Sequence, residues 1–227
     1  NSLNVFETID DYYDSDKTDK HTYCYGRVQN PTVRILEDKV AALEHGTGAL
    51  AFASGMAAAT TAVLTVCKTK SHVVCIRNAY GPLKTFLNEY CREHLDMSVT
   101  YVKGDEPEEF EKAVTAQTDL IILESPSSVV LSLQDIQAVS GTARKHHAYV
   151  YIDNSFCTPI YQKPLELGAD IVMHTTSKYM GGHSDIIGGV LAVKDEELMA
   201  RLRQQRELFG GIIGPMEAWL IIRGLRT

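Results

Sequence analysis

The sequence predicts an α/β domain, with a mostly parallel seven-stranded sheet covered by helices on both faces. Three observations lead to this. Short apolar runs alternate with helical stretches along most of the 227 residues. The runs are nearly continuous in apolar residues, as strands buried on both faces must be. Two of them end in chemistry-bearing groups, Asp153 and the hydroxyl-flanked Lys178, which a parallel sheet delivers to its carboxyl edge.

Residues 1–24 are polar, rich in Asp, Tyr and Thr, and without periodicity, so they predict an extended arm. Pro31-Thr32 then opens a helix whose apolar positions Val33, Leu36, Val40 and Leu43 recur every three or four residues. It is expected to stop near His45-Gly46, with the glycine as left-handed cap. Strands are predicted over 49–53, 72–76, 98–102, 120–124, 148–153, 171–174 and 187–193. Helices are predicted over 55–66, 83–93, 108–116, 136–145 and 165–167. The acidic run Asp105-Glu106-Pro107-Glu108-Glu109 reads as a solvated helix start. A charged helix over 195–206, a Gly-rich break and a last helix over 216–226 complete the chain.

Length and composition narrow the function. The chain can bury one large core. A net charge of -7 leaves no basic stripe for a nucleic-acid partner. Five cysteines, an odd number without CxxC spacing, argue against a zinc site or a disulfide framework and fit a reducing cytoplasm. Cys67 and Cys75 sit in apolar surroundings and read as core. No run approaches the ~18 apolar residues of a membrane span, and no signal-peptide pattern opens the chain.

The chemistry centres on Lys178, at the start of a Gly-rich loop, as a candidate Schiff-base nucleophile. An acid delivered beside it, Asp153, suits the pyridinium nitrogen of pyridoxal 5'-phosphate. Either residue alone would pass as an ordinary surface group. Gly55 and Met56 open a helix directly after a strand, where main-chain N–H groups hold a phosphate and glycine allows close approach. Thr175 and Ser177, alternate residues before Lys178, can both turn hydroxyls to the same anion. Tyr25 and Arg27 set a phenol and a guanidinium two residues apart, and arginine suits bidentate phosphate binding.

Six motifs occur in order: Tyr25-Gly26-Arg27-Val28-Gln29-Asn30-Pro31-Thr32, Ala53-Ser54-Gly55-Met56-Ala57-Ala58, Ala79-Tyr80-Gly81, Glu124-Ser125-Pro126-Ser127, Asp153-Asn154, and Ser177-Lys178-Tyr179-Met180-Gly181-Gly182-His183-Ser184-Asp185. Together they resemble the trans-sulfuration (Cys/Met metabolism) family of pyridoxal-phosphate enzymes. The resemblance runs from about Tyr25 to Thr227 and implies the large domain of a fold-type I enzyme over 25–227, with a smaller carboxyl-terminal domain beyond it. It implies that Lys178 carries the cofactor and relays protons, that Asp153 holds the ring-nitrogen proton, and that Tyr80 stacks on the ring. It also implies that Tyr25 and Arg27 reach the cofactor phosphate of a neighbouring subunit, in a homodimer or homotetramer acting on a small amino acid.

Two departures from the family pattern stand out. Ser128-Val129 replaces the frequent Asn-Pro, so Ser128 takes the position of an asparagine that bonds the ring oxygen. Pro82-Leu83 follows Tyr80-Gly81, which counts against a methionine γ-lyase. Some cystathionine β-lyases also lack that asparagine, which tilts the expectation towards a carbon–sulfur lyase. The alternatives are a γ-replacement enzyme (cystathionine γ-synthase or O-acylhomoserine sulfhydrylase) and, in another class, an aminotransferase of the same fold.

Overall fold

The computed structural model describes residues 3–14 and 23–227. Seven strands form one sheet: β1 Gly48–Phe52, β2 His72–Ile76, β3 Ser98–Val102, β4 Thr118–Glu124, β5 Tyr149–Asp153, β6 Ile171–Thr175 and β7 Gly189–Val193. Their order is β1-β7-β6-β5-β4-β2-β3. β7 is antiparallel to both neighbours, β1 and β6, while the other four pairings are parallel. Six strands therefore run one way, and the carboxyl ends of β1, β2, β4, β5 and β6 share one edge. Continuous apolar runs such as His72–Ile76 and Gly189–Val193 are buried at every position. Each fully buried Val, Leu or Ile contributes about 1.5–3 kcal/mol.

The helices lie where turn chemistry starts them. In α2 (Pro31–Glu44) the Asn30 side chain accepts from the Thr32 N–H, and Pro31 occupies a position whose N–H would have no helical acceptor. The left-handed cap is His45 (φ 56) rather than Gly46. Gly46 is required for a different reason: a Cβ there would lie 2.7 Å from the Val193 carbonyl oxygen. α3 (Gly55–Val66) is capped by Ser54, whose side chain accepts from the Ala57 N–H. α6 (Pro107–Ala113) opens at the predicted acidic run, where Glu109 turns back to accept from the Lys103 and Glu106 N–H groups. α7 (Ile136–Lys145) and α9 (Glu196–Phe209) start at capping aspartates, Asp135 and Asp195. α10 (Pro215–Gly224) packs against α2.

Three further expectations need correction. The arm is not wholly extended, because α1 (Ile9–Asp14) forms where Thr8 and Asp11 cap each other reciprocally. Arm residues 1–2 and 15–22 lie outside the described residues. The stretch expected as one helix over 83–93 is α4 (Gly81–Thr85), a π-helical turn over Phe86–Cys91 and α5 (Arg92–Leu95). Residues 165–167 form a turn closed on the Pro164 carbonyl, while α8 (Thr158–Tyr161) was not anticipated.

The free edge of β1 is closed by a buried ion pair. Glu37 of α2 accepts from the Ala51 N–H, and Arg206 of α9 donates to the Ala51 carbonyl at 3.1 Å. The two side chains meet at 2.5 Å, both nearly inaccessible. Removing one partner strands the other charge in the interior. We expect Glu37→Ala or Arg206→Ala to lower the unfolding free energy by about 3–5 kcal/mol in urea denaturation, and a joint Glu37→Met/Arg206→Leu replacement to lose much less.

Candidate functional site

The shared carboxyl edge holds a cavity of about 930 Å³. Each wall comes from a different strand exit. Ser54, Gly55 and Met56 follow β1, Tyr80 follows β2, and Glu124 and Ser128 come from the end of β4 and the loop after it. Asp153 ends β5, and Thr175, Ser177 and Lys178 close β6. Eight residues singled out from sequence therefore meet here: Gly55, Met56, Tyr80, Ser128, Asp153, Thr175, Ser177 and Lys178. Strand register accounts for the convergence, since Glu124 pairs with Asp153, Asp153 with Met173, and Thr175 with Gly189.

One end of the cavity offers hydrogen-bond donors. Ser54 occupies the Ala57 N–H, leaving the Gly55 and Met56 N–H groups at the open start of α3. A Cβ on Gly55 would fall 2.9 Å from Thr175 Cβ and 3.1 Å from its Oγ1, so only glycine keeps this gap open. The Thr175 and Ser177 hydroxyls border it and also contact the Gly188 main chain, where Ser177 accepts from the Gly188 N–H at 3.1 Å. Lys178 leaves the helical conformation (φ -105, ψ -123), and among the described residues its amine has no hydrogen bond or ion pair.

Two acids, Asp153 and Glu124, also line the cavity. Asp153 Oδ1 accepts from the Ser155 N–H at 2.9 Å. Burial pushes the Asp153 carboxyl above its usual range, opposed by Ser155 and by the charge of His174. Glu124 Oε2 accepts from the Tyr80 N–H at 2.7 Å, and its Oε1 accepts from Ser128 Oγ at 2.6 Å. Burial first, and the Asp153 charge second, push Glu124 up to about 7. Sequence reading did not single out Glu124, although it ends β4 as Asp153 ends β5.

Behind the edge lies a polar network that the sequence did not reveal. His174 Nε2 pairs with Glu44 Oε1 at 2.5 Å, both fully buried. Asn154 donates to the same oxygen at 3.1 Å, and Gln162 donates to Asn154 and to the Ser125 carbonyl.

Tyr25 and Arg27 are not brought to this cavity. The Arg27 guanidinium lies 5.2 Å from the Tyr25 ring centroid and donates to the Glu207 carbonyl at 2.9 Å. Both side chains are exposed. Among the described residues no group of three His, Cys, Asp or Glu side chains is placed to hold a metal ion, and no helix is long and apolar enough to cross a membrane.

Residues 2–227 match the family model described as Cys/Met metabolism PLP-dependent enzyme. This chain belongs to that family. Pyridoxal phosphate (PLP) is the family's cofactor. The chain is 39% identical over 208 residues to a probable cystathionine gamma-synthase of Herpetosiphon aurantiacus, covering 91% of this chain and 65% of that protein. It is 38% identical over 216 residues to the cystathionine gamma-lyase of Bacillus subtilis (strain 168), covering 95% of this chain and 56% of the relative. The crystal structure of metB from Corynebacterium glutamicum superposes with a TM-score of 0.92 at 33% identity, over all of this chain and 57% of that one. The chain thus spans little more than half the length of most of these relatives.

The raised acid gives this family member a pH signature. Folding tightens the proton on Glu124, so its contribution to stability is full below the ordinary glutamate value of 4.5 and is lost as pH rises through about 7. We expect Glu124→Gln, which cannot ionise, to gain stability over the parent progressively from about pH 5 to about pH 8. Urea denaturation of cofactor-free protein measures this, and a difference that stays constant across the range excludes the shift.

Proposed function

We propose that the cavity is a pyridoxal-phosphate site and that the protein is a carbon–sulfur lyase acting on a small sulfur-containing amino acid. The observation that carries the site is an unpaired lysine amine in a cavity lined by hydrogen-bond donors at the start of α3 and by two acids, Asp153 and Glu124. The donor set fits the cofactor. Two free N–H groups, two hydroxyls and a gap only glycine leaves open suit a phosphate. A buried carboxylate with a raised pKa gains from a cation such as a protonated ring nitrogen.

When bound, the cofactor supplies a conjugated ring that takes up the electron pair left when a bond at the substrate Cα breaks. The chain's residues do the rest. Lys178 would hold the cofactor through its amine and, when that amine is free, would carry the proton to and from the substrate Cα. Asp153 holds the proton on the ring nitrogen. Tyr80 covers one face. Gly55, Met56, Thr175 and Ser177 bind the phosphate, and Ser128 lines the wall beside the ring. A γ-replacement reaction is the second reading, because a probable cystathionine gamma-synthase is among the relatives.

We further propose an assembly of two or four copies in which Tyr25 and Arg27 serve a neighbour's phosphate. The support is that both lie outside their own chain's cavity and are exposed. The five free cysteines support a reducing, cytoplasmic setting.

Reduction of the PLP-loaded protein with borohydride and peptide mapping should place the pyridoxyl group on Lys178. The nearby alternatives are engaged elsewhere: Lys163 donates to the Leu43 carbonyl and Lys194 to the Leu165 carbonyl. Label on either of those would refute the assignment. Mixing inactive Arg27→Ala and Lys178→Ala variants should restore up to about a quarter of the parental activity, as statistical exchange gives one intact site in each hybrid dimer. If verified subunit exchange restores nothing, Arg27 acts within its own chain.

A further inference from the structure

We infer that Glu124 is a positioning residue that decides whether Ser128 offers the cavity its hydroxyl proton or only its lone pairs. This control acts on one wall of the proposed cofactor site and rests on that reading. An ionised carboxylate only accepts hydrogen bonds, whereas a serine hydroxyl has one proton and two lone pairs. At 2.6 Å from Glu124 Oε1, Ser128 Oγ therefore donates its one proton to the carboxylate and has none left for a ligand.

Protonation reverses this bond. Glu124 Oε2 accepts from the Tyr80 main-chain N–H at 2.7 Å, and an amide N–H cannot accept in return. The Ser128 main-chain N–H also bonds the carboxylate and cannot accept either. Both oxygens keep a lone pair for the added proton, but only on Oε1 does that proton meet an acceptor, Ser128 Oγ at 2.6 Å, so it resides there. The Ser128 hydrogen is then free to turn into the cavity, which Ser128 lines with Lys178 and Asp153. The backbone of this loop is held by the Ser127 N–H on the Ser132 carbonyl and by a 2.7 Å contact between the Ser127 and Ser132 hydroxyls.

The surroundings set the range in which this happens. Asp153 and Tyr151 face Glu124 from β5, Cys75 from β2, and Tyr80 from the turn after β2, while Lys178 lines the same cavity. Burial keeps Cys75 and Tyr151 neutral by pushing both far upward. Burial and the Asp153 charge bring the Glu124 transition to about 7, within the working range of a cell.

The test uses 4'-deoxypyridoxine 5'-phosphate, which lacks the aldehyde and so removes Lys178 chemistry from the measurement. Glu124→Gln keeps an acceptor for the Tyr80 N–H and gives Ser128 a permanent donor, so it imitates the protonated state at every pH. We expect it to bind the probe about three- to tenfold more tightly than the parent at about pH 8.5, the worth of one hydrogen bond, and equally at about pH 6. In a Ser128→Ala background the same substitution should change nothing at either pH. A gain that persists without the Ser128 hydroxyl would be plain electrostatics and would overturn the inference, as would no gain in Glu124→Gln alone. Should Glu124→Gln fail to fold by circular dichroism, the parent must still exceed Ser128→Ala in affinity at about pH 6 and match it at about pH 8.5. Failure of the parent to bind both the probe and PLP would overturn the cofactor reading as well.

Discussion

Only a hydrogen fits on the Cα of Gly189. A Cβ there would sit 2.5 Å from the Ser54 carbonyl oxygen and 2.8 Å from Gly55 Cα. A Cβ on the preceding Gly188 would sit 2.4 Å from Thr176 Oγ1. These two glycines let β7 run antiparallel between β1 and β6 while pressing against the segments that leave those two strands. The start of α3 and the turn carrying Lys178 are thereby drawn to one place. Bulkier residues would hold the two walls apart, and the donor-rich end of the cavity would open into two separate loops.

The helix that opens at Pro31 shows how polar groups hold such a sheet in place. Its core face includes Glu37 and Glu44, and neither is left without a partner. Glu37 closes the β1 edge together with Arg206, and Glu44 meets His174 and Asn154 behind the cavity. A buried carboxylate is strongly unfavourable unless paired, so each contact fixes where the helix can dock more tightly than apolar packing alone. That specificity explains two charges on a face that burial would otherwise fill with leucine.

Much of this was legible in the chain itself. Strands buried on both faces declare themselves by continuous apolar runs, and β2 and β3 lie where the sequence puts them. Helices with a capping side chain, such as α3 and α7, also match their predicted bounds. Local rules failed where the cause was not local. The π-turn at Phe86–Cys91 has no sequence signal, and the burial of Glu37 and Glu44 depends on partners 169 and 130 residues away. Eight of the predicted site residues line one cavity, because each lies at a strand exit on one edge. Glu124 stands in a motif but carries no role in the sequence, because its significance comes from a neighbour in another strand, Asp153. Tyr25 and Arg27 were legible as a motif, but their own chain does not bring them to the cavity.

The network behind the sheet edge has a consequence for motion. Glu44 ends α2, His174 lies in β6, Asn154 follows β5, and Gln162 carries the connection to the Ser125 carbonyl after β4. Four segments distant in sequence are joined through a few buried side-chain atoms. Opening any one of them breaks the bonds of the others, so they should exchange their amide hydrogens as a single cooperative unit. The described arm residues and the rim at Val129–Leu133 take no part in these bonds, so their amides should exchange independently of that unit.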